Sequence, residues 1–216
     1  MDNTLTATPS YHPVLRFLAK GISVLFHPLF IPIYLLLFTL YLSPVALALA
    51  PAAKFRLSLS FGAMYILFPL VTVLLAKGLG FIDSILLRSQ KDRIIPYIAC
   101  GIYYFWIWYV LHNQQAPAPL VVLTLAIFLA SSAGLLFNSF LKISMHAISI
   151  GVAVAFMYLL ALVSGASFGV YLSIALLIAG LVCTSRLINA DHEPKEVYYG
   201  LLIGLLSLLV AYWFEG

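Results

Sequence analysis

Between Ser185 and Gly200 the chain reads Ser-Arg-Leu-Ile-Asn-Ala-Asp-His-Glu-Pro-Lys-Glu-Val-Tyr-Tyr-Gly. Three of these residues have types and spacing suited to phosphoryl chemistry. Arg186 is a fixed cation whose planar fork of N–H donors matches phosphate oxygens. His192 titrates near neutrality and can act as nucleophile or base. Glu196 follows four residues later. On a helix it shares a face with His192 and can hold one ring nitrogen, which leaves the other free to attack. Pro194 restricts that helix to one starting nearby, because proline is tolerated in a first turn. An ordinary loop in which Arg186 and Glu196 pair off accounts for the same residues.

The remaining charges are as unevenly placed as these. Five charged residues fall between Asp83 and Arg93, five between Arg186 and Glu196, and only Lys142 lies between the two clusters, four residues before His146. The elements that must position them are set by composition. Of 216 residues 64% are hydrophobic and 8% charged, with a net charge of +4 and a mean hydropathy of +1.10. A water-soluble surface takes roughly 25% charged residues, so a soluble domain is excluded. Apolar segments run over about 21–42, 56–79, 97–112, 119–138, 146–164, 169–187 and 197–214, with turn chemistry between them at Ser43-Pro44, Pro51, Gly78, Gly80, Pro117, Pro119, Gly165 and Pro194. In hydrocarbon each backbone polar group must be satisfied within its own segment, so these are helices. The expected fold is an all-α integral membrane bundle of six or seven spans, one membrane-embedded domain over 1–216 with a polar or interfacial segment at 1–20. Residues 97–112 are short and aromatic and are expected to span thinly or lie at the interface. His27-Pro28 and Pro32 kink the first segment or start it as an interfacial helix near Arg16 and Lys20.

Counting spans brings the polar clusters together. Two segments separate 83–93 from His146, and two more separate His146 from 185–196, so all three emerge on one membrane face. Arg16, Lys20 and Lys77 share that face, and Lys54 and Arg56 lie on the other. Read literally, the excess of cations places the clustered face in the cytoplasm. The N-terminal residues lack the basic start of a cleaved signal and are expected to be retained. Cys100 and Cys183 are apolar fillers, no carboxylate cluster suits magnesium, and no nucleic-acid module is visible.

The order Ser185-Arg186, five residues, His192, three residues, then Glu196-Val197 resembles the third signature of the type 2 phosphatidic acid phosphatase (PAP2) superfamily, with Glu for the usual Asp and with Gly200 and Gly204 continuing it. Ile143-Ser144-Met145-His146 is similar to the second signature, Pro-Ser-Gly-His, and keeps its Ser and His. Arg88 and Pro96 have the spacing of the Lys and Pro in the first signature, while Ile95 stands where an Arg is expected. The resemblance covers 88–204. It implies a metal-independent, cofactor-free phosphatase acting on a membrane lipid. His192 would attack phosphorus to form a phosphohistidine, Glu196 would orient it, and His146 would protonate the leaving oxygen and then activate water. Arg186, Ser144, Ser185, Lys91, Arg93 and Arg88 would hold the phosphoryl oxygens. Bacterial relatives work on the outer side of the inner membrane, which sets the family's arrangement against the cation count.

A pocket at the interface suits a lipid whose phosphate reaches the headgroup layer: phosphatidate, phosphatidylglycerophosphate, a polyprenyl pyrophosphate or a lipid A phosphate. Met145 for Gly, Glu196 for Asp and Ile95 for Arg leave a second possibility, a PAP2-like membrane protein that binds or transports a lipid phosphate without turning it over. A membrane assembly factor whose charge clusters are loops is a third. Gly200 and Gly204 form a small-xxx-small pair suited to close helix packing. His12, His27 and His112 are isolated, and His27 reads as a helix-end hydrogen bonder.

Overall fold

The structure, a computed structural model, describes residues 11–43, 48–87, 89–164 and 168–216. Among these the chain forms eight helices and no strand. They are α1 (Pro13–Leu25), α2 (Ile31–Leu42), α3 (Pro51–Gly78), α4 (Gln90–Asn113), α5 (Ala118–Asn138), α6 (Met145–Ser164), α7 (Gly169–Ile188) and α8 (Pro194–Glu215). Helices α3 to α8 are each long and apolar enough to cross a membrane, which makes the chain a multi-pass membrane protein of six candidate spans. Proline opens α1, α3 and α8, where the missing N–H has no partner to lose.

Two segments whose course the sequence leaves open are set by the helices. Residues 97–112 lie within α4, whose 24 residues extend about 36 Å and are long and apolar enough to cross the hydrocarbon. The charged first turn belongs to the helix because its charges are satisfied there. Ser89 caps it by accepting the Asp92 N–H at 3.1 Å, and the Asp92 carboxylate accepts the Asp83 N–H at 2.8 Å. Buried Arg93 donates from Nε to the Leu87 carbonyl and from Nη1 to the Ile143 carbonyl, each at 2.9 Å. The 21–42 segment, by contrast, is not one span. It breaks at Phe26–Phe30 into α1 and α2. The 12 residues of α2 reach only about 18 Å, short of the hydrocarbon thickness.

Helix α1 carries apolar Val14, Phe17 and Leu18 and cationic Arg16 and Lys20 on exposed positions, and buries Ala19 and Ser23. It packs against α7. With six spans the parity argument holds. The start of α4, the α5–α6 connection, the start of α6, the end of α7 and the start of α8 share one face.

The α6–α8 contact sets the relative position of those ends. A Cβ at Gly204 would drive into the Ile148 carbonyl oxygen, and one at Gly200 would stand 2.9 Å from the Ser144 carbonyl oxygen. The backbones touch because these positions carry no side chain. Gly204→Ala is therefore expected to destabilise the protein by about 3 kcal/mol, the upper end for overpacking, because rotamers cannot relieve a clash with backbone. A lowered midpoint of thermal unfolding in detergent measures it; an unchanged midpoint would mean the helices separate at no cost.

Candidate functional site

Helix α8 begins at Pro194, with Glu193 as its N-cap in a reciprocal capping box with Glu196. The box needs an acid three residues after the cap, so the first turn that contains Pro194 also fixes Glu196 in place. Glu196 Oε2 accepts the Glu193 N–H at 3.2 Å and lies 2.9 Å from His192 Nδ1. The same Nδ1 lies 3.0 Å from the Lys142 carbonyl oxygen. Both neighbours can only accept, so Nδ1 carries the proton and Nε2 keeps its lone pair. The His192 side chain is 2% exposed. Burial lowers its pKa below the usual 6.5, and the nearby positive charges of Arg186 and Arg93 lower it further; the Glu196 hydrogen bond opposes them without reversing the shift. The ring therefore stays neutral and nucleophilic to lower pH than a free imidazole.

Arg186 sits in the last turn of α7, where the helix dipole favours a cation. Its Nη2 pairs with Asp191 at 2.8 Å and its Nη1 donates to the Ser23 hydroxyl at 3.2 Å. Its Nε–H is buried and has no hydrogen-bond partner among the described residues. Asp191, rather than Glu196, is thus the carboxylate that pairs with Arg186. The loop reading had the right kind of contact and the wrong acid.

His146 stands in the first turn of α6. Its Nε2 is 2.9 Å from the Ser23 carbonyl oxygen, and its ring meets His27 edge-on with centroids 5.3 Å apart. His27 accepts the Leu29 N–H at Nδ1, 3.3 Å away, as a helix-end hydrogen bonder does. It also packs into the site, where burial and then Arg186 lower its pKa. Ser144 is fully buried. It caps α6, its hydroxyl accepting the Ala147 N–H at 3.4 Å and its own N–H donating to the Glu196 carbonyl at 3.2 Å. Ser185 donates to the Val182 carbonyl at 2.7 Å and faces the Ser23 hydroxyl at 3.0 Å.

The fold thus gathers His192, Glu196, Arg186, His146, Ser144 and Ser185, with Arg93 tied to the Ile143 carbonyl at their edge. Lys91 lies exposed in the first turn of α4, and Arg88 is outside the described residues. Ser23, His27, Asn189 and Asp191 join the site without having been expected there. Asn189 and Asp191 lie within the five-residue gap of the third signature, so their proximity could have been read. Ser23 had no signal of its own.

No curated protein and no solved structure matches the chain. Residues 130–216, the stretch that carries His146, Arg186, His192 and Glu196, match the family model of the PAP2 superfamily, and the chain is consistent with a PAP2 superfamily member.

Proposed function

We propose that the protein is a lipid phosphate phosphatase that hydrolyses a phosphomonoester or pyrophosphate on a membrane lipid through a phosphohistidine, with no resident metal. The observation that carries this reading is His192. Its Nδ1 is held by two acceptors, its Nε2 is left as a neutral nucleophile, and Arg186 stands beside it with an unpaired Nε–H. Nε2 attacks phosphorus and the bond to the leaving oxygen breaks, with His146 supplying a proton to that oxygen. His146 then takes a proton from water, whose oxygen attacks phosphorus and releases His192 and inorganic phosphate. Arg186 and Arg93 supply the positive charge, and positioning against charge is the main need of phosphoryl transfer.

A lipid substrate is supported by what adjoins the site. An apolar cavity of about 180 Å³ between α2, α6 and α7 is lined by Phe26, Ile31, Tyr34, Ile150 and Ile178. Phe26 precedes His27 and Ile150 is one turn beyond His146, so the cavity lies beside the segments that carry two of the histidines. We place the protein in a bacterial inner membrane with the site on its outer side, following the family's arrangement.

Purified protein is expected to release phosphate from one or more of phosphatidate, phosphatidylglycerophosphate, a polyprenyl pyrophosphate and a lipid A phosphate, equally with magnesium and with chelator, and to lose that release in His146→Ala. No release from any of them would reject the phosphatase reading, and strict magnesium dependence would reject its mechanism. Arg186→Lys is expected to lower kcat/KM about 10²-fold, because a point charge cannot hold Ser23, Asp191 and a phosphoryl oxygen in one plane. Steady-state kinetics on the best substrate checks this. Binding without turnover is the second reading, favoured by the near-complete burial of His192. It predicts saturable binding of the same lipids with no phosphate released.

A further inference from the structure

Helix α1 lies outside the stretch that matches the PAP2 superfamily, yet its last turn reaches the middle of the site. Ser23 is buried and uses both of its oxygens there. Its carbonyl faces His146 Nε2 at 2.9 Å. Its hydroxyl takes Arg186 Nη1 at 3.2 Å and Asn189 Nδ2 at 3.4 Å. The direction of each bond can be worked out. Ser185 donates its only hydroxyl proton to the Val182 carbonyl at 2.7 Å, so at the 3.0 Å contact between the two serines Ser23 is the donor. Ser23 Oγ is then left as an acceptor toward Arg186 and Asn189, as found. A carbonyl oxygen can only accept, so His146 must carry a proton on Nε2, and in the neutral ring the lone pair is on Nδ1.

We infer that Ser23 is the positioning residue of His146: its carbonyl fixes the ring so that Nδ1 is the atom that gives a proton to the leaving oxygen and later takes one from water, while its hydroxyl steadies Arg186. The inference rests on the phosphatase reading for its chemistry. The site then holds two histidines in opposite senses. His192 is held at Nδ1 by Glu196 and the Lys142 carbonyl and works through Nε2. His146 is held at Nε2 by Ser23 and works through Nδ1. A backbone carbonyl suits the second task. It supports the imidazolium that forms when Nδ1 takes up a proton from solvent as the anionic phosphate binds, the proton that Nδ1 then gives to the leaving oxygen, and it adds no negative charge beside that phosphate. The titratable and charged groups around His146 are His27 after α1, Arg186 on α7 and His192 before α8, and none of them makes a hydrogen bond to the ring among the described residues.

The contact is tested in the full chain in lipid nanodiscs by ¹⁵N NMR of histidine-labelled protein, with His146 assigned from the signals lost in His146→Gln. The expected spectrum has His146 protonated at Nε2 and bare at Nδ1, and His192 the reverse. His146 protonated at Nδ1 would overturn the inference. A backbone ester in place of the Ser23–Val24 amide, made by incorporating the hydroxy acid analogue of valine, weakens the Ser23 carbonyl as an acceptor. It is expected to lower kcat roughly tenfold with KM little changed. Ser23→Ala keeps the carbonyl and loses the hydroxyl, and is expected to raise KM several-fold through Arg186 while leaving the His146 tautomer as it was. An ester that leaves kcat unchanged would overturn the positioning role. A wild-type chain that releases no phosphate would instead refute the phosphatase reading, and the spectrum would still decide the contact.

Discussion

His192→Ala should remove phosphate release altogether, a fall of at least about 10³-fold in kcat on any substrate the protein accepts. The size follows from the arrangement of the ring. Nδ1 is committed to Glu196 and Lys142, so Nε2 is the only lone pair the ring can offer. His192 is the ring whose proton-bearing nitrogen is held by a carboxylate, which offsets the positive charge that develops on the imidazole as it attacks. His146 cannot take over, because its free Nδ1 is the atom that serves the leaving oxygen and water, and one ring cannot be nucleophile and acid in the same step. Substrate binding should survive, since Arg186 keeps its partners Ser23 and Asp191. The variant is therefore expected to bind the lipid phosphate and hold it unhydrolysed. Activity within tenfold of wild type would reject His192 as the nucleophile.

Glu196→Gln is the second large effect, and its size is limited by a detail of the site. In a Ser-His-Asp triad, replacing the carboxylate by an amide costs about 10⁴-fold, because the ring takes the wrong tautomer. Here the Lys142 carbonyl also accepts from Nδ1 at 3.0 Å, so the tautomer survives and only the charge is lost. The expected fall in kcat is about 10²-fold. The pH dependence moves with it. Burial together with Arg186 and Arg93 lowers the His192 pKa, and Glu196 works against them. Removing that charge lowers the pKa further. The neutral ring is the active form, so the acid limb of kcat/KM should lie below 6.5 in wild type and shift to lower pH in Glu196→Gln. A shift to higher pH, or no shift, would mean that Glu196 does not act on His192 through its charge.

The parts of the site that sequence made legible are those that local chemistry sets. Glu196 lies four residues after His192, and a capping box around Pro194 puts both on one helical turn. His146 begins a helix whose N-terminus faces the same side by span parity. The α6–α8 contact was visible as Gly200 and Gly204. Charge patterning misled at α4. Asp92 and Arg93 looked like loop residues because sequence does not show that Asp83, Leu87 and Ile143 supply their partners, so 97–112 read as a thin span or an interfacial segment. The first segment was read correctly as kinked or beginning in an interfacial helix. His27-Pro28 marked the break between α1 and α2 without showing that the two pieces part company there. Ser23 was invisible for a plainer reason. Its partners His146, Ser185, Arg186 and Asn189 are between 123 and 166 residues away, and a lone serine near an amphipathic helix end has no pattern that points to them.

The chemistry turns on a bond between phosphorus and Nε2 of His192. Rapid acid-free quenching of the protein with a lipid phosphate labelled at phosphorus, followed by peptide mapping, tests it directly. An acid-labile, base-stable label is expected on the peptide that contains His192, as the Nε2-phosphohistidine, formed at a rate no slower than turnover and absent from His192→Ala. Turnover without such an intermediate, a label on His146, or phosphate bonded to Nδ1 of His192 would contradict it.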